Sequence, residues 1–197
     1  MRLISLKSLA LGVAIASLSL AASAQSLVGV NAKLDRTLDS KSAANGQAVV
    51  AKLDGAVTTS DGTKLPKGTE LIGKVADVKN GNGSAVSLSL VFTSAKLKDG
   101  REIPIKATIV SAYPRIDPVG TGLGDVTVQP VPAHVSPQGV FQQEPGALAH
   151  VTMTSAVKDH NSATFSSDKG NFKLQAGTNL QVGIGPASAA STTSAAE

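Results

Sequence analysis

The segment Asp61–Ala107 reads DGTKLPKGTELIGKVADVKNGNGSAVSLSLVFTSAKLKDGREIPIKA, and it decides the fold class. Its turn signals, Asp61-Gly62 and Asp99-Gly100, bracket stretches in which apolar residues alternate with small or polar ones. Such alternation is typical of antiparallel strands with one buried face and one wet face. In Ala85–Ala95, one face carries Val86, Leu88, Leu90 and Phe92. We therefore predict an all-β fold, either a single antiparallel β-barrel or a sandwich.

The same alternation continues on both sides of this segment. Further strands are predicted at Ala48–Leu53, Thr69–Lys79, Arg101–Ser111, Val151–Lys158, Ser162–Ser166, Asn171–Leu174 and Thr178–Ile184. Asn31–Asp39 fits either a strand or a helical turn. Asn45-Gly46, Leu65–Gly68 and Asn80–Gly83 are predicted turns, and Gly73 predicts a bend or a bulge in its strand. Pro104 indicates an edge or a bulge because proline lacks an amide hydrogen.

The first 24 residues have the features of a secretory signal peptide. Arg2 and Lys7 precede a short apolar run that ends in Ala22-Ser23-Ala24, an A-x-A cleavage site. The run is shorter than the roughly 20 residues that span a bilayer. We predict cleavage after Ala24 and a periplasmic or extracellular location, with an uncleaved N-terminal anchor as the alternative. The chain contains no Cys, so its core must hold it together without disulfides.

Charge and aromatic content argue against nucleic acid as a partner. The chain has 18 Lys and Arg and 14 Asp and Glu, and removal of Arg2 and Lys7 with the leader leaves 16 against 14. The charges are interspersed, as they are on a solvated strand face. Single-stranded nucleic acid is usually bound by a basic groove with stacking aromatic residues, whereas this chain has no Trp and one Tyr.

Between Ala112 and Ala149 the alternation stops. This stretch holds six of the nine prolines, together with five glycines, which disfavour both strands and helices. We predict a long Pro/Gly-rich loop at 112–149. From Pro186 onward only small residues remain beside Glu197, which predicts a disordered tail. The predicted organisation is a signal peptide at 1–24, a β domain at 25–185 and a disordered tail at 186–197.

No arrangement of side chains in the sequence indicates catalysis, a cofactor or a metal. His134, His150 and His160 are 16 and 10 residues apart and lack the spacing of a metal site. Asp159-His160 could orient an imidazole, although a polar pair in a turn needs no such role. Gly120–Gly124 lacks the Lys-Ser/Thr of a phosphate-binding loop. We predict no catalytic, cofactor-binding or metal-binding residues, and a protein that is not an enzyme.

Several turns and strands together resemble the C-terminal β-barrel of TrbI-type proteins, scaffold components of type IV secretion and conjugation machines. The family unit P-x-G-[ST]-x-L-x-G is matched by Pro66, Gly68, Thr69, Leu71 and Gly73. The resemblance covers Ala32–Val126 and extends to an Asp- and Gly-bearing segment at Asp117–Val126. TrbI-type proteins carry an inner-membrane helix and a pore-forming helical pair, which this sequence does not match. The resemblance therefore implies the fold and an envelope setting.

Two functions are consistent with these features. The first is an exported, non-catalytic β domain that acts as a structural or protein-interaction module in the bacterial cell envelope, with another envelope protein as its partner. Pairing through an edge strand needs only backbone groups, which suits a chain with few reactive side chains. The alternative is a secreted module that binds a ligand or a cell-wall glycan, for which only Tyr113 and Phe141 offer aromatic faces.

Overall fold

A computed structural model describes residues 26–80, 85–115 and 131–187 of the 197-residue chain. The predicted leader, the glycines of the Asn80–Gly83 turn, the Gly120–Gly124 loop and the tail beyond Ala187 lie outside these residues. So does the segment Asp117–Val126 that contributes to the family resemblance. Within the described residues there is no helix, and hence none that could cross a membrane.

Every regular element of the described residues is a β-strand. The strands are β1 (Leu27–Leu34), β2 (Leu38–Asp39), β3 (Ala48–Leu53), β4 (Val57–Thr58), β5 (Lys64–Leu65), β6 (Glu70–Asn80), β7 (Val86–Lys96), β8 (Glu102–Tyr113), β9 (His134–Val135), β10 (Val140–Leu148), β11 (Val151–Ala156), β12 (Ala163–Ser167), β13 (Lys173–Leu174) and β14 (Asn179–Pro186). The stretch Asn31–Asp39, which the sequence leaves open, is the end of β1 followed by β2.

Six of these strands close into an antiparallel barrel. Strand β1 pairs with β3, β3 with β6, β6 with β7, β7 with β8, β8 with β14, and β14 with β1 again. The all-β prediction is confirmed, and of its two architectures the barrel is the one that forms. Pairing between β7 and β8 covers only Ser94–Lys96 and Glu102–Pro104. It stops at Pro104, in agreement with the edge or bulge predicted there.

Strands β10, β11 and β12 form a side sheet where β7 and β8 separate. The first half of β7 pairs with β12 instead of β8, and β11 and β10 follow in order. Gln143 on β10 then reaches back to β8, because its side-chain amide exchanges two hydrogen bonds of 2.7 Å with the backbone of Ala112. Hydrogen bonds of one side chain thus join β10 to β8 in place of backbone pairing between the two strands.

The barrel interior is filled with apolar side chains. Inward positions recur at every second residue, as in Leu71, Val75, Leu88, Leu90, Leu180, Val182 and Ile184, all fully or almost fully buried. A barrel of about eight strands is just wide enough for side chains to fill it, so one of six strands leaves still less room. The side sheet and the ribbons β2–β13 and β4–β5 add Met153, Phe165, Leu38, Leu174, Val57 and Leu65 to the same core.

A second apolar cluster covers the outer face of β14. It consists of Leu27, Val135 and Val157, with Val110 and Phe141 packed against them. Two glycines of β14 make room for it, since a Cβ on Gly183 would lie 2.9 Å from Val135 and one on Gly185 would lie 2.6 Å from Leu27. This cover explains why β14 is buried on both faces.

Two features of the predicted strand and loop pattern need correction. The stretch 112–149 contains the end of β8, then β9 and β10. Strand β10 tolerates Pro145 because its pairing with β11 is irregular between Gln143 and Leu148. Val157 does not align with Val151 and Met153 in the core, since it lies beyond β11 and joins the outer cluster.

Candidate interaction surface

The three histidines lie on different segments of the chain and are exposed. His134 is in β9, His150 is in the turn between β10 and β11, and His160 follows the turn after β11. The backbone carbonyl of Asp159 accepts a hydrogen bond from Lys106 Nζ. Within residues 26–80, 85–115 and 131–187, no group of three His, Asp or Glu side chains could hold a metal ion.

The two aromatic residues considered for sugar stacking are not presented on a loop. Tyr113 is the last residue of β8 and is only 8% exposed. Phe141 lies in β10 and packs against the outer apolar cluster. Neither ring offers an open face on a flexible segment, so the structure gives no support to the glycan-binding alternative.

A large opening on the described surface lies beside β3. We call it the β3 groove and define it by Asp35–Leu38, Gln47–Val50 and Glu70, which line a volume of about 540 Å³. It arises because β1 pairs with only the second half of β3, at Ala51–Leu53. Beyond that point the chain leaves β3, and Leu38 pairs with Leu174 instead.

One edge of β3 is unpaired inside this groove. Odd-numbered residues direct their backbone groups toward β6, as shown by the bonds from Val75 N–H to Gln47 C=O and from Leu53 N–H to Thr69 C=O. Ala48 and Val50 therefore direct theirs toward the groove. Val50 C=O accepts from Asp35 N–H at 2.9 Å. In the described part of the chain, the Ala48 N–H and C=O and the Val50 N–H have no partner.

Two carboxylates that line the groove, Asp35 and Glu70, form ion pairs with Lys52. Lys52 Nζ lies 2.8 Å from Asp35 Oδ1 and 3.6 Å from Glu70 Oε1. The hydrogen bond from Lys52 holds the pKa of Asp35 below its ordinary value, and the same bond raises the pKa of Lys52. The two carboxylates are thus already engaged by one cation.

Lys52 and Glu70 belong to a row of charged residues on the outside of the barrel. Cross-strand neighbours on β1, β3, β6, β7 and β8 are, in order, Lys33, Lys52, Glu70, Lys96 and Glu102. The adjacent lysines of β1 and β3 are each compensated, Lys33 by Asp54 at 3.0 Å and Lys52 by Asp35. The row forms a solvated face of the kind that the interspersed charges predict.

Sequence reasoning did not identify the groove. The only local signal is the polar run Asp35-Arg36-Thr37, which interrupts the alternation of Asn31–Asp39. That run shows where β1 ends, but the position of β3 relative to it depends on pairing between segments distant in sequence. The unpaired edge depends on the register between strands, and the residue pattern of a single strand does not determine that register.

Comparison with known proteins gives a resemblance at the level of structure. The solved structure of ComB10 of the Com type IV secretion system of Helicobacter pylori is similar with a TM-score of 0.40 and 12% sequence identity, over 81% of this chain and 85% of that chain. No protein-family model matches the sequence, and no curated protein is significantly similar to it. A likeness at this level identifies neither family nor function, so the resemblance to the TrbI-type barrel stays a prediction.

Proposed function

We propose that this protein is an exported, non-catalytic β-barrel that acts as a protein-interaction module in the bacterial cell envelope. The observation that carries the proposal is the combination of a filled barrel and an open strand edge. Because apolar side chains occupy the interior, the barrel has no room for a ligand. Recognition must therefore take place on the outside.

The outer surface supports a protein partner better than a small ligand. The β3 groove offers unpaired backbone donors and acceptors beside Ala48 and Val50, and these groups suit another polypeptide. Among the described residues, the titratable side chains with shifted pKa values are mostly carboxylates in surface ion pairs and turns, as at Asp54 and Asp61.

The envelope setting rests on the leader at 1–24, which lies outside the described residues. An exported chain without Cys needs a core that holds without disulfides, and the continuous apolar cluster of the barrel meets that need. The proposed location follows from these two features together.

The proposal is tested by expressing the full chain with a C-terminal tag in a Gram-negative host. We expect the periplasmic fraction to contain a protein whose N-terminus is Gln25. Crosslinking in an envelope extract should then yield a stoichiometric protein adduct. Retention on purified peptidoglycan with no protein adduct would contradict the proposal and favour the glycan-binding alternative, and a cytoplasmic, unprocessed chain would contradict the location.

A further inference from the structure

We infer that the β3 groove binds an extended segment of another protein, which joins the barrel as an additional strand beside Ala48. The segment has an acidic residue opposite Ala48 and small apolar residues on either side of it. This inference rests on the proposed function and names the kind of partner that the module takes.

The backbone supplies the first part of the argument. A residue placed opposite Ala48 in antiparallel pairing exchanges two hydrogen bonds with it, one with its N–H and one with its C=O. The Val50 N–H offers a further donor next to that pair. The groove volume of about 540 Å³ lies within the range of ligand sites, about 300–1,000 Å³, and an opening of that size holds a short extended segment.

The apolar positions of the segment follow from the pleat. In the bound segment, the residues before and after the one opposite Ala48 direct their side chains inward, on the same face as Val49. There the groove is lined by Val49 and Leu38, which are both buried members of the barrel core. Small apolar side chains at these two positions would extend that core without leaving a polar group unpaired.

The acidic position follows from the charges around the groove. Asp35 and Glu70 are already engaged by Lys52. Arg36 has a side chain that is 94% exposed, and its ion pair with Asp35 spans 3.9 Å. Lys74, the cross-strand partner of Ala48, is exposed and has no ion pair within the described residues. A carboxylate opposite Ala48 would lie between these two cations, with only the small Ala48 side chain beside it.

The test uses the processed protein labelled with ¹⁵N and two blocked peptides, Ac-Thr-Val-Glu-Val-Thr-NH₂ and Ac-Thr-Val-Lys-Val-Thr-NH₂. We expect the acidic peptide to shift the amide signals of Arg36–Leu38 and Ala48–Val50, with an affinity about fivefold higher than that of the basic peptide. Amide exchange in the free protein should be fast at Ala48 and Val50 and slow at Val49 and Ala51. Signal changes elsewhere only, or none with either peptide, would overturn the inference.

Variants separate backbone pairing from charge. Ala48→Pro removes a donor that points away from β6, at the first residue of a strand where proline is tolerated. It should weaken binding of the acidic peptide about tenfold. Arg36→Glu should remove the preference for the acidic peptide, whereas Lys158→Glu, which reverses an exposed charge outside the groove, should keep it. Equal binding by wild type and Ala48→Pro would overturn the inference, and should Ala48→Pro fail to fold, the wild-type exchange pattern decides.

The same variant distinguishes this inference from the proposed function. If Ala48→Pro retains an envelope protein that the wild type captures, the groove assignment is wrong and the proposed function stands. If the wild type captures no protein, the proposed function fails, and the peptide titration still decides what the groove binds.

Discussion

At the scale of single residues, two glycines were predicted from turn chemistry and have different physical roles. Gly68 has φ of +85°, a conformation that side chains with a Cβ rarely adopt. Gly73 lies at a shift in the β6–β7 register, where a Cβ would come within 2.3 Å of the Val91 carbonyl oxygen. The predicted turn and the predicted bulge are both confirmed, because glycine in a strand pattern indicates backbone geometry directly.

Replacing either glycine by valine should destabilise the barrel. We expect Gly68→Val and Gly73→Val each to lower the free energy of unfolding by about 1–3 kcal/mol, the first through backbone strain and the second through overpacking against Val91. Thermal melts measure this. Gly55→Ala is the control, because a Cβ there meets only Val30 at 3.8 Å. Melts of the two valine variants that match wild type would show that these turns are assigned wrongly.

Ser162 shows what residue patterns do not reveal. Its hydroxyl donates to the Ala107 carbonyl at 2.7 Å and accepts from the Phe92 amide at 3.0 Å. Its backbone joins the same two strands, through bonds to Leu90 and Ile109. The side chain is fully buried, yet a serine before a strand usually indicates only a turn.

Loss of this hydroxyl should weaken the seam between β7 and β8. Ser162→Ala leaves two buried backbone groups without partners, so we expect a loss of about 2–3 kcal/mol in the free energy of unfolding. Urea denaturation measures it, with the exposed Ser42→Ala as the control. A midpoint equal to that of the control would mean that water or a neighbouring group replaces the hydroxyl.

At the scale of elements, strands with strict alternation were predicted well. Strand β7 extends from Val86 to Lys96, against a prediction of Ala85–Ala95, and its four predicted core residues are buried. The opposite face is less exposed to solvent than predicted, because Ser89 is buried and its hydroxyl is hydrogen-bonded to that of Thr164 on β12. That cover comes from a strand more than 70 residues away, which local periodicity cannot show.

Strand β10 was not predicted because its pairing is irregular. Its two glutamines and Pro145 give no alternation, and part of its stabilisation comes from Gln143, which bonds to Ala112 in place of a strand. Amide side chains do this only when tertiary structure brings a backbone within reach, so composition alone indicates a loop.

Gln143 should hold the side sheet to the barrel. We expect Gln143→Ala to increase the exchange rate of the Ala112 amide and to lower protection in β10 and β11, while β1, β3 and β6 keep theirs. Hydrogen exchange measured by NMR tests this, and the exposed Gln175→Ala is the matched control. Unchanged protection of Ala112 would show that this side-chain bond does not form in solution.

At the scale of the whole molecule, the alternation predicts a barrel or a sandwich but does not choose between them. The choice depends on the short β7–β8 pairing that ends at Pro104. The β3 groove likewise depends on where two segments separate in the finished barrel. Neither feature is local, which is why the fold class could be predicted and the candidate site could not.

The surface carboxylates should make the barrel sensitive to acid. Hydrogen bonds and ion pairs lower the pKa values of Asp35, Asp39, Asp54, Asp61 and Asp99 below the ordinary value of 3.8. The unfolded chain then takes up protons first as the pH falls, so stability is retained above about pH 5 and declines through pH 4 and below.

Denaturation in urea at a series of pH values between 7 and 3 measures this decline. Asp54→Asn should reduce the loss of unfolding free energy as the pH falls, because Asp54 forms ion pairs with Lys33 and Lys67. Asp168→Asn is the control, since Asp168 is exposed and has no ion pair within the described residues. A free energy of unfolding that rises on acidification would show that these pairs do not stabilise the folded state.

The most direct test of a closed, filled barrel is the set of cross-strand nuclear Overhauser contacts in the processed protein. The structure predicts contacts between Val30 and Val182, which join the first and last strands, and between Ala95 and Ile103, which close the ring at β7 and β8. Observation of both supports a barrel whose function lies on its outer surface. Contacts across β1 and β14 without any between Ala95 and Ile103 would mean that the sheet stays open and that its interior could admit a ligand.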